Sequence, residues 1–69
     1  MIKSQKFKRV NLIKARKIKG ITQEETAEWV GISRTTYSSI ERGERNPRTE
    51  TAIALSDLFG VDVKTLFKR

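Results

Sequence analysis

Cysteine and histidine are both absent from this 69-residue chain, and proline occurs once. Without those side chains the protein can form no disulfide and no zinc site of the usual ligands. Its apolar runs reach four residues at most, too few to span a membrane, and the charged N-terminus lacks the apolar core of a signal peptide. We therefore expect a cytoplasmic protein with no cofactor and no membrane contact.

The charge of the chain is strongly positive and unevenly distributed. Fifteen Lys and Arg against eight Asp and Glu give a net charge of +7, and residues 1–20 contain eight basic and no acidic residues. Such a surface can simply be solvated, but it also favours a polyanion, because Lys and Arg release counterions from phosphates. We predict that this end faces phosphates, with residues 1–8 as a flexible basic arm.

Apolar residues recur with the 3.6-residue period of a helix, and no alternating run of strand type is present. A chain of this length also forms one domain at most. The sequence therefore predicts an all-α domain over residues 9–69. The expected helices are, in chain order, Arg9–Lys19, Gln23–Val30, Ser33–Glu41, Thr49–Phe59 and a short last helix capped by Asp62. The residues expected to face the core in the first and fourth helices are Leu12, Ala15, Arg16, Ile18, Ala52, Ile53, Leu55, Ser56 and Phe59.

The most informative stretch is QEETAEWVGISRTTYSSIERG, residues 23–43, which places two short helices on either side of one glycine. Thr22 and Glu25 have the spacing of a capping box at the start of the first of these helices. Gly31 supplies the corner, because glycine readily adopts the left-handed backbone conformation that ends a helix. Ser33 is the expected N-cap of the second helix.

One face of that second helix carries Arg34, Thr35, Ser38 and Ser39, which form i,i+4 pairs and therefore lie together. Hydroxyls around a single arginine are typical neither of a core nor of a Glu/Lys solvent face. Such a face suits the reading of base edges in a DNA major groove. The alternative is a solvated polar face without a partner.

The segment GITQEETAEWVGISRTTYSSIERGERNP resembles the helix-turn-helix of the phage repressor and Cro family, and TETAIALSDLFGVDVKTLF resembles the last two helices of that family. The resemblance covers roughly residues 10–67. The positions that carry it are Arg16, Thr22, Gln23, Ala27, Gly31, Ser33, Ile40, Glu41, Gly43, Pro47 and Gly60. It implies a compact five-helix, lambda-repressor-like domain and a sequence-specific regulator of transcription, most often a repressor, that binds double-stranded DNA.

The resemblance also implies roles for individual side chains on the second helix of the motif. Base contacts are expected from Arg34, Thr35 and Ser39, and from Ser38 because it shares their face. Arg34 can bond the N7 and O6 atoms of a guanine. Thr35 can offer its hydroxyl or pack its methyl group on a thymine.

Phosphate contacts are expected where the two helices of the motif begin, because free backbone N–H groups and the helix dipole favour an anion there. The loop of residues 42–48 adds donors that bind the DNA backbone without reading sequence. The residues expected to contact phosphate are Thr22, Gln23, Ser33, Tyr37, Arg42, Arg45 and Asn46. A plain helix cap or a solvated charge is the alternative for several of them, whereas Gln23 has no evident structural role.

Family resemblance further implies a largely buried ion pair between Arg16 and Glu41, which would tie the first helix to the end of the third. Four positions depart from the family pattern. Thr26 replaces a leucine, so the first helix of the motif is expected to contribute a thinner apolar face. Tyr37 replaces a smaller aliphatic residue, and its hydroxyl is expected to reach the surface. Glu44 replaces a lysine and is expected to point away from DNA. Trp29 replaces a polar residue and is expected to be a partly exposed ring, with packing against a tyrosine or a contact with another protein as the alternatives.

A homodimer on a pseudo-palindromic operator is expected, because one recognition helix covers too few base pairs for useful genomic specificity. The sequence ends soon after the last predicted helix, so no small-molecule effector domain is expected. An antitoxin-like module that mainly holds another protein is the alternative function. An enzyme is disfavoured, because Glu24 and Glu25 point apart on their helix and five short helices offer little cavity.

Overall fold

The computed structural model describes residues 8–68, and this part of the chain contains five α-helices and no β-strand. The helices are α1 (Val10–Lys19), α2 (Gln23–Val30), α3 (Arg34–Glu41), α4 (Thr49–Phe59) and α5 (Val63–Leu66). The all-α prediction is confirmed, and the helix bounds lie within about one residue of those expected. Of the predicted N-terminal arm, residues 1–7 lie outside the described residues.

α2 and α3 form the predicted helix-turn-helix, and short-range hydrogen bonds define the turn between them. Thr22 Oγ1 accepts from the Glu25 amide at 3.0 Å while the Glu25 carboxylate accepts from the Thr22 amide at 2.9 Å, which completes the capping box. Gly31 ends α2 at φ = 80°, a left-handed conformation that costs a residue with a Cβ about 1–2 kcal/mol. Ser33 then caps α3 by accepting from the Thr36 amide at 3.1 Å.

The core is small, and every helix contributes to it. Its fully buried apolar side chains are Leu12 of α1, Ala27 of α2, Tyr37 and Ile40 of α3, Leu55 of α4 and Leu66 of α5. Full burial of one large apolar side chain stabilises a fold by about 1.5–3 kcal/mol. Because α3 supplies two of these side chains, the core fixes which face of that helix remains in contact with solvent.

Two aliphatic residues that were expected to face the core lie in solvent instead. Ile18 is 84% exposed and Ile53 is 51% exposed, so both expectations are wrong. At 3.6 residues per turn, Ile18 is about 120° from Leu12 around α1, and Ile53 is about 160° from Leu55 around α4. The position of α4 against α2 and α5 makes Leu58 the buried residue of its last turn.

Candidate nucleic-acid interface

The solvent face of α3 carries the residues that were predicted to read bases. Arg34 and Thr35 are exposed in its first turn, and Ser38 and Ser39 are half-buried one turn later. Within residues 8–68, no hydrogen bond engages the guanidinium of Arg34 or the hydroxyl of Thr35. The first turn of α3 therefore presents two polar side chains that are available to an external ligand.

The starts of α2 and α3 border one open groove. Its lining residues are Arg16, Thr22, Gln23, Glu24 and Arg34. The structure thus brings Arg34, a predicted base-contacting residue, beside two predicted phosphate-contacting residues at the N-terminus of α2. Free backbone N–H groups and the positive end of the helix dipole make such a helix start attractive to an anion.

Gln23 has a structural role that the sequence did not reveal. Its side-chain nitrogen donates to Glu41 Oε1 at 2.9 Å and so joins the start of α2 to the end of α3. The expectation that this glutamine lacks a structural role is therefore wrong. A phosphate contact is left to its backbone N–H and to the second N–H of its amide.

Arg16 and Glu41 form the ion pair that the family resemblance implied. Arg16 Nε donates to Glu41 Oε2 at 2.6 Å, and the two side chains are 13% and 4% exposed. The same guanidinium donates through Nη1 to the backbone oxygen of Ile21 at 3.0 Å. One arginine therefore connects α1, the segment before α2 and the end of α3.

The surroundings of Glu41 favour its ionised form. Burial by itself raises the pKa of this carboxyl, but hydrogen bonds from Arg16 and Gln23, together with the nearby Tyr37, hold the pKa below its ordinary value. The pKa of Glu41 is lower in the folded protein than its ordinary value of 4.5. The ionised carboxylate therefore stabilises the fold fully at pH values above about 4.5. That stabilisation is lost as the pH falls through the lower folded-state pKa.

Tyr37 does not reach the surface, so the predicted phosphate contact of its hydroxyl is wrong. The residue is 0% exposed, and its hydroxyl is buried near the Glu41 carboxylate without a hydrogen bond of normal geometry in the described part of the chain. Burial and then the nearby carboxylate raise the pKa of the phenol, which stays neutral. Tyrosine is longer than isoleucine, and this position faces the core. The hydroxyl is therefore directed toward the side chains of Arg16 and Glu41.

Arg9 is a second interior arginine, which the sequence reasoning treated only as a helix start within a basic stretch. It is 9% exposed, and its Nε donates to the backbone oxygen of Ile40 at 2.9 Å. Its Nη2 donates to Asn46 Oδ1 at 2.7 Å, and its guanidinium lies 5.4 Å from the centre of the Phe67 ring. Arg9 thus fixes the loop after α3, through partners 31 and 37 residues away that no local pattern indicates.

The loop of residues 42–48 presents the remaining predicted phosphate-contacting residues. Arg42, Arg45 and Asn46 are all exposed. Asn46 accepts from Arg9 through its side-chain oxygen, which leaves its amide N–H groups for other partners. Glu44 pairs with Arg42 at 3.1 Å, a contact that the sequence reasoning did not anticipate.

Trp29 is 71% exposed, as expected of a surface ring. It borders an open groove between α2 and α4 whose apolar side chains are Ile21 and Leu58. The other residues that line this groove are Lys19, Glu25, Glu28 and Asp57. No residue of α3 is among them, so this surface is separate from the polar face described above.

Residues 8–68 contain neither a metal-binding cluster nor a membrane-spanning helix. This region contains no group of three His, Cys, Asp or Glu residues that could hold a metal ion. No helix within it is long and apolar enough to cross a membrane. The exposed face of α3 and the adjoining groove offer hydrogen-bond donors and the positive charge of Arg34, with the carboxylate of Glu24 also lining the groove. Donors and positive charge are the chemistry that binds phosphates and base edges.

Replacement of Arg16 by alanine is expected to destabilise the fold by roughly 3–5 kcal/mol, because it leaves the buried Glu41 carboxylate without its cation. At about 0.05–0.15 kcal/mol per residue, a 69-residue protein has about 3–10 kcal/mol of stability, so this loss removes a large share of it. Chemical denaturation measures the change, and Lys17→Ala, an exposed neighbour on α1, is the control. A midpoint equal to that of the wild type would contradict the role of the pair.

Tyr37→Phe is expected to change the unfolding free energy by less than about 1 kcal/mol, since the deleted hydroxyl makes no hydrogen bond of normal geometry. DNA affinity should not change either, because the hydroxyl is buried. Tyr37→Ala, by contrast, should cost about 3–5 kcal/mol through the cavity it creates. Weaker DNA binding by Tyr37→Phe at unchanged stability would show that the hydroxyl does contact phosphate, contrary to the structure.

Known proteins are similar to this chain in both sequence and fold. A family model described as helix-turn-helix matches residues 12–66. The uncharacterized HTH-type transcriptional regulator YqaE of Bacillus subtilis is 40% identical over 58 residues, which are 84% of this chain and 50% of that protein. The chain therefore spans half the length of this relative.

Among solved structures, the P22 c2 repressor protein in complex with synthetic operator 9T has a TM-score of 0.82 at 28% identity, covering 93% of this chain and 97% of that one. The restriction-modification controller protein C.AhdI from Aeromonas hydrophila has a TM-score of 0.73 at 30% identity, covering 83% of this chain and 86% of that one. These matches confirm the repressor-like five-helix fold. With its family match extending over nearly all of α1 to α5, the chain belongs to the helix-turn-helix family of the Cro/C1 type.

Proposed function

We propose that the chain is a sequence-specific, double-stranded DNA-binding regulator of transcription that acts as a repressor. The observation that carries the proposal is the position of α3, which is packed against the core on one side and presents Arg34 and Thr35 to solvent on the other. A helix held in this way can enter the DNA major groove with the side chains of its first turn directed at base edges.

The distribution of charge around α3 supports this proposal. The net charge of +7 attracts a polyanion, and Arg45 and Arg48 lie exposed in the loop that follows the helix. At the opposite end of α3, the groove at the start of α2 offers backbone N–H groups next to Arg34. Phosphates would therefore find donors near both ends of the inserted helix.

The relatives support the same function. The P22 c2 repressor was solved in complex with a synthetic operator, and its structure matches 93% of this chain. YqaE is named a transcriptional regulator. A regulator of this kind acts where the DNA is, so we place the protein in the cytoplasm.

We further propose that the protein binds as a homodimer to a pseudo-palindromic operator. α3 has only eight residues and spans about 12 Å, which limits one copy to a few base pairs. Two copies related by a two-fold axis would place two such helices about one DNA turn apart and double the sequence that is read. The area available for the dimer contact is small in a domain of this size, so assembly should depend on concentration and on DNA.

The roles of Arg34 and Arg45 are expected to separate in a binding assay. Arg34→Ala should relax base preference at one position and lower discrimination by about 1–3 kcal/mol. Arg45→Ala should weaken binding to all duplexes alike and reduce the slope of log affinity against log salt by about one unit, if the residue contacts phosphate. Titrations of specific and random duplexes at several salt concentrations measure both effects.

Lys64→Ala is the matched control for this assay, because it removes one positive charge from an exposed position on α5, a helix that packs on α1 and α4. It should leave base preference unchanged. Equal losses of affinity for specific and random duplexes in Arg34→Ala would show that this arginine does not read bases.

Footprinting at saturation is expected to protect two half-sites whose centres are about 10 base pairs, or one DNA turn, apart. The two protected sequences should be inverted repeats, since a two-fold dimer presents the same helix to both. Protection of a single unrepeated half-site would contradict the homodimer and leave the DNA-binding function in place.

A further inference from the structure

The open groove between α2 and α4, the Trp29 groove, is an acidic site on a strongly basic protein. It has a volume of about 700 Å³, and its charged lining residues are Lys19, Glu25, Glu28 and Asp57. Glu28 and Asp57 are exposed and make no hydrogen bond or ion pair with any residue from 8 to 68. The groove therefore offers free carboxylates to a cationic partner, although the chain as a whole carries a net charge of +7.

The apolar part of the Trp29 groove is only partly covered by the protein. Trp29 is 71% exposed, and Ile21 and Leu58 line the groove beside it. Burial of such a large ring against another apolar surface is favourable. Because the groove is open to solvent, it suits a side chain that projects from another protein surface better than a small ligand, which has to be enclosed on most sides.

A surface of complementary character lies on α1 of the same chain. Ile18 is 84% exposed, and Lys14 and Lys17 are exposed on the same side of the helix. At 3.6 residues per turn, Lys14 is about 40° and Lys17 about 100° from Ile18 around the helix axis. Neither lysine makes an ion pair in the part of the chain that the structure describes. An apolar side chain with two cations beside it matches an apolar groove with two free carboxylates.

The location of Ile18 permits a symmetric contact between two molecules. Ile18 directly precedes Lys19, which lines the Trp29 groove, so the basic surface and the acidic groove adjoin at the end of α1. In a two-fold pair, Ile18 of each copy can therefore enter the groove of the other, and the same contact forms twice. Repulsion between like charges disfavours the arrangements that place groove on groove or α1 on α1.

We propose that the Trp29 groove binds a second copy of this chain, with Ile18 of that copy packed beside Trp29 and its neighbouring lysines facing Glu28 and Asp57. This inference goes beyond the function proposed above and does not depend on it. The groove has no residue in common with α3 or with the groove at the start of α2. It is thus a self-association surface built from different residues than the candidate nucleic-acid interface.

Measurements on the free protein test the contact, because no DNA is needed for it. Trp29 is the only tryptophan of the chain, so its fluorescence reports directly on the groove. Sedimentation velocity should show pairs forming between about 10 μM and about 1 mM, the range expected of a small and weak interface. Over the same range the Trp29 emission should shift to shorter wavelength as the ring leaves water.

Replacement of Ile18 by serine should abolish this association. Each buried isoleucine contributes a factor of about 10 to 150 in affinity, and the variant removes one from each copy. Ile53→Ser is the matched control, because Ile53 is a second isoleucine, 51% exposed on α4, that does not line the groove. It should leave the dissociation constant unchanged.

Exchange of charges tests the pairing across the contact. Glu28→Lys combined with Asp57→Lys, and Lys14→Glu combined with Lys17→Glu, each place like charges on both sides, so each double variant alone should be monomeric. An equimolar mixture of the two should associate, because both contacts of the mixed pair again join opposite charges. Circular dichroism shows whether each variant is folded, and Glu50→Lys, a reversal at an exposed residue outside both surfaces, should associate as the wild type does.

A wild-type protein that stays monomeric up to about 1 mM would overturn the proposal. So would association that persists in Ile18→Ser, association that leaves the Trp29 emission unchanged, or double variants that stay monomeric when mixed. Loss of association in Ile53→Ser would also overturn it, since the contact would then lie on α4. Failure of the DNA titrations would leave these results untouched, so the two proposals stand or fall separately.

Discussion

The carboxylate of Glu41 is the group on which the binding surface depends. It belongs to the last turn of α3, accepts from Arg16 of α1 and Gln23 of α2, and is almost fully buried. A buried charge persists only where its partners are held in good geometry, so the cluster specifies one relative arrangement of three helices. α3 needs that constraint, because eight residues rich in Thr and Ser form a poor helix in isolation.

Arg9 supplies the matching constraint on the loop. Its guanidinium bonds the end of α3 through Ile40 and the loop through Asn46, and it stacks on Phe67 next to α5. Two arginines from one short N-terminal segment therefore hold the last turn of α3 and the chain that follows it. The exposed cations of the loop are presented from a fixed backbone, which reduces the entropy lost when they bind.

Local features of this fold were predictable from the sequence, whereas long-range polar contacts were not. The capping box at Thr22 and the left-handed turn at Gly31 depend on residues within one helical turn, so their spacing was sufficient. The family resemblance indicated the pair of Arg16 with Glu41. Residue spacing gave no sign that Gln23 also bonds Glu41, or that the Tyr37 hydroxyl is buried, because both depend on how the helices pack.

The residues that hold α3 in place are almost entirely different from the residues that α3 exposes to solvent. Tyr37, Ile40 and Glu41 fix the helix from its inner side, and Arg9 bonds a backbone oxygen that any residue would provide. Arg34 and Thr35 contribute nothing to that framework. Changes at these outer positions can therefore accumulate with little loss of stability, and recognition can diverge between descendants of this chain while the scaffold is inherited unchanged.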